Sequence, residues 1–225
     1  MKPLDVQLEQ ARADQERSRS AAEASPRRRQ GVALCLSGGG YRAALFHLGA
    51  LLRLHETGWL AQVRLFSSVS GGSIVSAWLA ARYLGGRRGP GETFAQWCGR
   101  IDFAAEVVEP FRAFAGDDVR TWPVLSTLPF NWLWPSRRVR KLEHAFARHL
   151  GELTLRDLPA DPAFVFCASD LTFGVNWEFS RRRVGDYLAG YLREPRPIKL
   201  ARAVVRRSSS RPGAGSCSGC CATPT

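Results

Sequence analysis

Two short glycine-bearing stretches hold the groups best suited to chemistry in this 225-residue sequence. The first is Ser37-Gly38-Gly39-Gly40-Tyr41-Arg42-Ala43. Three consecutive glycines let a backbone approach a ligand without Cβ interference, and a helix starting just after them presents unpaired N–H groups. Such a place stabilises negative charge, either a phosphate or the oxyanion of a tetrahedral intermediate, and Arg42 adds a cation. The second is Ser68-Val69-Ser70-Gly71-Gly72-Ser73. A serine at a strand-to-helix junction, followed at once by glycine, has the mechanics of a nucleophile elbow: the sharp turn exposes Oγ at the helix N-terminus. The usual elbow carries glycine two residues before the serine; Ser68 stands there in this chain. Ser70 is thus the candidate nucleophile, with Gly71 and Gly72 as elbow glycines and Gly38, Gly39, Gly40 and Arg42 as the oxyanion region.

The elements that must position these groups are legible on both sides of them. Val32-Ala33-Leu34-Cys35-Leu36 is a short apolar run closed by glycines, which suits a strand buried on both faces. Tyr41 to Leu54 has helical periodicity, with Leu48, Leu51 and Leu52 on one face, and Gly58 closes it. A second strand near Leu65–Val69 meets Gly71-Gly72, and a second helix runs through Ile74–Leu79. Strand, glycine turn and helix, repeated twice, give an α/β pattern with a parallel sheet. Both turns then fall at the same end of that sheet, where α/β sites form. Residues 86–135, rich in Gly, Pro and Trp, read as a cap or insertion, in which Trp132-Leu133-Trp134 suits either a lipid interface or packing on the sheet. A helix is expected over 137–150 and a strand at Phe164–Ala168, with Trp177-Glu178-Phe179 as its pairing partner.

Other chemistries fit less well. Gly38-x-Gly40-x-x-Ala43 satisfies a loose dinucleotide fingerprint, but that reading needs an acidic residue at the end of the second strand, and Ser67-Ser68 stand there. A Ser-His-Asp triad is open in principle; His47, His55, His144 and His149 all lie in helical segments and read as solvated or packed residues. No Cys/His grouping has zinc-ligand spacing, so neither metal nor cofactor is expected.

The two glycine stretches together resemble the patatin-like phospholipase family. Ala168-Ser169-Asp170-Leu171 with Gly174 and Phe179-Ser180, and Ile198-Lys199-Leu200-Ala201-Arg202-Ala203-Val204, are similar to its later segments, so the resemblance spans about residues 31–205. It implies a three-layer α/β/α hydrolase fold with a mostly parallel central sheet. It also implies hydrolysis of phospholipid, lysophospholipid or neutral-lipid esters through an acyl-enzyme, by a Ser-Asp dyad without catalytic histidine. Ser70 is the nucleophile by this resemblance. The dyad aspartate of the family stands in an Asp-Gly motif after the segment matched by 198–205, and this sequence has no Asp-Gly dipeptide. The expectation is therefore a fold incomplete at its C-terminus through truncation or a frameshift. The chain is then either an active hydrolase or a catalytically dead lipid- or membrane-binding relic. Asp170, at the end of a strand, is the candidate substitute base.

Composition bounds the rest. Net charge is +12, with 45% hydrophobic and 23% charged residues. Residues 1–30 read as a polar, basic arm and 206–225, rich in Arg, Ser and Cys, as a disordered and non-native tail. The charge suits an Arg-rich solvated surface or attraction to anionic membranes; nucleic acid is not expected as a partner. No apolar run is long enough to span a bilayer and no signal peptide is evident. The six cysteines form no disulfide framework. The expected setting is the cytoplasm, peripheral at membranes, with a lipid or membrane-surface substrate.

Overall fold

The computed structural model describes residues 31–85, 89, 91–116, 146–170, 174–193 and 198–205, with only the backbone of Asp170, Arg193 and Val205. The expected arm 1–30, the tail 206–225 and the Trp132–Trp134 stretch lie outside these residues.

The first apolar run is strand β1 (Val32–Leu36), followed by α1 (Gly40–Glu56), β2 (Val63–Val69) and α2 (Gly71–Gly85). On α1, Ala44, His47, Leu48 and Leu51 are buried. Their spacing of three and four residues is the inward stripe of an amphipathic helix. Helix α2 is buried along most of its length, including Gly71, Gly72, Ser73, Ser76 and Trp78. The segment expected to be an irregular cap is helical where described. It contains α3 (Phe94–Arg100), a π turn (Ala104–Val108) and α4 (Glu109–Gly116). A capping box starts α3: Thr93 Oγ accepts from Gln96 N, and Gln96 Oε1 accepts from Thr93 N at 2.9 Å. Residues 146–150 are helical, consistent with a helix expected over 137–150. Strand β3 (Ala163–Asp170) then opens a meander with β4 (Val175–Ser180), β5 (Arg183–Asp186) and β6 (Gly190–Arg193), and the last described element is α5 (Leu200–Val205).

The six strands form one sheet in sequential order. β1, β2 and β3 are parallel, while β3–β4, β4–β5 and β5–β6 are antiparallel. The sheet is therefore mixed, where the sequence led to a mostly parallel one. The cause is connection length. Parallel neighbours need a crossover of a dozen residues or more, and only the first two connections are that long. The β4–β5 turn is two residues, 181 and 182, pinned by Ser180 Oγ donating to the Arg183 carbonyl at 3.0 Å.

Consecutive parallel strands joined by right-handed crossovers place their helices on one face of the sheet. That face carries Leu36, Phe66, Ser68, Phe164 and Phe166, all buried. Phe66 stacks on Phe164 with centroids 4.8 Å apart, and Phe94 of α3 meets Phe66 edge-on. Trp78 of α2 packs against Phe111 and Phe114 of α4 and donates its indole N–H to the Val107 carbonyl at 3.2 Å. The opposite face shows Cys35 and Val69 exposed. The described helices thus supply one covering layer of the expected three-layer arrangement.

Candidate active site

The two glycine turns abut at the C-terminal end of the parallel strands. β1 ends at Leu36 and pairs with Ser68, one residue before β2 ends at Val69. The loop Ser37–Gly39 and the elbow Ser70 therefore leave neighbouring strands side by side. Gly39 (φ 138°) and Gly40 (φ 66°) take backbone conformations that a side chain would oppose, and they turn the chain into α1.

Ser70 has φ 52° and is the one non-glycine residue with positive φ among those described. It is exposed. A left-handed conformation in a residue bearing a Cβ is strained, by roughly 1–3 kcal/mol at such sites, and persists only where the surroundings enforce it. The enforcement is visible. Ser70 follows a seven-residue strand and its carbonyl accepts the first bond of α2, from Ile74 N at 3.2 Å.

The glycines on either side permit the close packing. A Cβ on Gly71 would lie 2.2 Å from the Gly40 carbonyl oxygen, and one on Gly72 would lie 2.4 Å from the Leu36 oxygen. A Cβ on Gly38 would come within 3.3 Å of the Ser70 Cβ, so the glycine loop runs directly past the serine. Gly72 N donates to the Ser37 carbonyl at 3.2 Å, tying the start of α2 to the start of the loop. Neither α1 nor α2 has an acidic residue in its first turn, and Gly39 caps α1 without a side-chain hydrogen bond. Two helix N-termini thus meet beside one serine, with their positive ends unneutralised by side chains. Arg42, exposed in the first turn of α1, adds a cation.

One contributor was not legible beforehand. His47, only 6% exposed, places Nε2 at 3.0 Å from the Ser37 carbonyl and 3.3 Å from Ser37 Oγ. A carbonyl can only accept, so Nε2 carries the proton. His47 therefore anchors α1 to the first residue of the glycine loop. The available signal was a polar residue on the apolar stripe of α1. The other described histidines are packed elsewhere: His55 stacks on Phe103 and bonds the Cys98 carbonyl at 2.8 Å, and His149 lies 4.6 Å from the Phe114 ring. His144 lies outside the described residues.

The carboxylates divide clearly. Asp102 accepts from Ala105 N at 3.0 Å, Asp157 from Thr154 N at 2.7 Å, Asp161 pairs with Arg64 at 3.1 Å, and Asp186 accepts from Leu188 N and Ala189 N. Each is committed to local structure. Asp170 ends β3, the neighbour of β2, and Val69 pairs with Cys167, so the register carries the Asp170 backbone three residues past that level. It thus lies at the same end of the sheet as Ser70; its side chain is outside the described set. Asp117 and Asp118 are also outside it. Among the described residues no group of three or more His, Cys, Asp or Glu is arranged to hold a metal ion. No described helix is long and apolar enough to cross a membrane.

The chain is thus a mixed α/β sheet with a glycine loop after its first strand and a strained serine after its second. A patatin-like phospholipase family model matches residues 34–216. The match covers more than half of the chain, which belongs to that family. It runs past residue 205, where the sequence resemblance was closed. No curated protein matches the chain.

Proposed function

We propose that this chain is a serine lipid acyl hydrolase in which Ser70 is the nucleophile. Family membership supports hydrolysis of lipid esters in general; the residue roles are our reading of the geometry. Ser70 Oγ attacks the ester carbonyl carbon as its proton passes to a carboxylate base. The amides of Gly38, Gly39 and Gly40, with Arg42, stabilise the oxyanion that forms. Collapse of the intermediate expels the alcohol, which takes the proton back, and leaves an acyl-serine. Water then attacks that ester as the base again takes its proton, and collapse of the second intermediate frees the fatty acid while the base returns that proton to Ser70 Oγ. Asp170 is the base within this chain.

The observation that carries the reading is the left-handed Ser70 (φ 52°) wedged between Gly38 and Gly71. Strain of this kind in an exposed serine suits presentation of Oγ to a substrate.

A second reading is a lipid-binding relic without catalysis. It is favoured by the engagement of Asp102, Asp157, Asp161 and Asp186 in local bonds, which among the described aspartates leaves Asp170 at the Ser70 end of the sheet. A fluorescent fluorophosphonate separates the two. Labelling lost in Ser70→Ala and strongly slowed in Asp170→Asn supports the hydrolase with Asp170 as base. Labelling lost in Ser70→Ala but unchanged in Asp170→Asn keeps the nucleophile and rejects that base. A folded chain that takes no label is the relic.

A further inference from the structure

We propose that the solvent face of α1 packs on the same face of a second copy of the chain, the two helices running antiparallel about Gly49. The proposal does not depend on the catalytic reading of Ser70.

Helical geometry defines the face. At about 3.6 residues per turn, Arg42, Leu45, Phe46, Gly49, Arg53 and Glu56 fall within roughly 100° of arc. All six are exposed. Ala44, His47, Leu48 and Leu51 point the opposite way and are buried. The middle of the solvent face is apolar. Leu45 is 45% exposed, and Phe46, at 72%, is the most exposed of the large hydrophobic residues described. Leu52, half-buried, borders the stripe on one side. A surface helix ordinarily carries polar and charged residues here. On α1 the charges stand only at the ends of the stripe, with Arg42 at the start and Arg53 and Glu56 in the last turn.

Gly49 gives the stripe a bare centre. A Cβ there would meet nothing within 4 Å, and the residue has no positive φ. The backbone of the single chain therefore gives no reason for glycine, which weakens an exposed helix relative to alanine. Packed helices approach as closely as the side chains at the contact allow, so a turn without a side chain admits a close neighbour. The helix is also held rigidly, since His47 ties it to the Ser37 carbonyl at 3.0 Å. Rigid presentation lowers the ordering cost of association.

Self-complementarity selects the occupant. A two-fold axis at Gly49 sets positions equally far from it, on opposite sides, against each other. Phe46 and Leu52, three residues to either side, then meet across the axis, and so do Arg42 and Glu56, seven to either side. Each pair occurs twice in the dimer. Arg53 holds Glu56 Oε2 at 2.9 Å, which keeps the carboxylate on this face of the helix. A parallel pairing would instead oppose Arg42 to Arg42, so charge fixes the direction as antiparallel. A helix of 17 residues is about 25 Å long. One such pair buries less than about 1,200 Å², the range of weak and reversible contacts. Because α1 starts directly after the glycine loop, the Arg42–Glu56 contact brings this interface up to the Ser70 turn.

Sedimentation velocity of the full chain from about 1 to about 100 μM tests this, the range in which weak contacts titrate. The wild type is expected to pass from monomer to dimer across it. Phe46→Ser removes an apolar side chain from both halves and is expected to weaken association by about tenfold or more. Arg42→Glu, which sets two carboxylates against each other, weakens it by about threefold or more. Arg42→Glu combined with Glu56→Arg reverses both charges and restores it. Leu192→Ser, exposed on β6 at the other edge of the sheet, leaves it unchanged. All these positions are exposed or half-exposed, so the variants keep the fold. A wild type that stays monomeric throughout overturns the proposal, as does a dimer indifferent to Phe46→Ser or weakened equally by Leu192→Ser. A charge exchange that fails to regain the dimer overturns the antiparallel pairing. A monomeric wild type that sediments with phosphatidylglycerol vesicles, and loses this in Phe46→Ser, also overturns it and assigns the face to a membrane.

Discussion

The Nε2 atom of His47 lies 3.0 Å from the carbonyl oxygen of Ser37, and the same oxygen accepts the amide of Gly72 at 3.2 Å. One carbonyl thus joins the glycine loop, α1 and the first turn of α2. Losing the imidazole leaves one of its two bonds unmade. Removal of a buried hydrogen bond costs about 1–3 kcal/mol. In His47→Ala, amide exchange across residues 37–43 is expected to accelerate while that of β3 and β4 does not change. His47→Gln, whose side-chain amide can donate, restores part of the protection. Exchange mass spectrometry reads this directly, and equal acceleration over the whole chain would make His47 a general packing residue.

The glycines of the two turns differ sharply from a glycine on a helix surface. A Cβ at Gly71 meets the Gly40 carbonyl oxygen at 2.2 Å, and backbone on both sides leaves nothing to yield. Gly71→Ala is expected to destabilise by about 1–3 kcal/mol or more, with Ser70 displaced. Gly49, exposed inside α1, meets nothing within 4 Å. Gly49→Ala is expected to stabilise by about 0.5–1 kcal/mol because alanine loses less backbone entropy in a helix. Thermal melts of the two variants check both signs, and a Gly71→Ala protein as stable as wild type contradicts the close approach.

Cysteine reactivity follows burial. Cys98 is buried between α3 and the core, and desolvation pushes its thiol up to about 12. Cys35 is exposed on the open face of β1. Iodoacetamide at mildly alkaline pH is expected to modify Cys35 first and leave Cys98 intact until the chain unfolds, as peptide mass spectrometry would show. The linkage has a definite sign. The unfolded thiol ionises near its ordinary value of 9.0, whereas burial keeps the folded one protonated to about 12. The unfolded state then binds fewer protons than the native one, so this group has no effect below about pH 9 and lowers stability as pH rises through that window. Cys98→Ser or Cys98→Ala removes that part of the alkaline slope. An unchanged slope rejects the assignment.

The parts of the fold that were legible in advance are those where an apolar run meets glycine. β1, α1, β2 and α2 each lie between such punctuation marks, and the glycines that end the strands also shape the site. The hairpin β5–β6 was missed because its strands are four residues each and Gly185 and Gly190 interrupt any alternation. Its register depends on an Asp186 side chain bonding two turn amides, a local device that hydrophobic periodicity does not report. The stretch from Phe94 to Gly116 read as irregular because its aromatic residues (Phe94, Trp97, Phe103, Phe111 and Phe114) mask the helical period, although Thr93 and Gln96 offered a capping signal. Within the site, Ser70 and the two glycine stretches were legible as residue types in sequence. The His47–Ser37 link was not, since it depends on α1 folding back over the loop ten residues earlier.

The strain at Ser70 makes a prediction that separates stability from activity. A left-handed residue with a Cβ costs about 1–2 kcal/mol relative to the same backbone in glycine. Glycine in turn has more freedom to lose on folding, by about 0.5–1 kcal/mol. Ser70→Gly is therefore expected to be at least as stable as wild type and more stable than Ser70→Ala, which keeps the Cβ and its strain. For a chain of this size a gain of 1 kcal/mol raises Tm by about 2–4 °C. Both variants lose fluorophosphonate labelling, because neither has a nucleophile. A melt in which Ser70→Gly falls below Ser70→Ala would mean that the surroundings favour the left-handed conformation without cost. The elbow would then lack the stored strain on which its reading as a presented nucleophile rests.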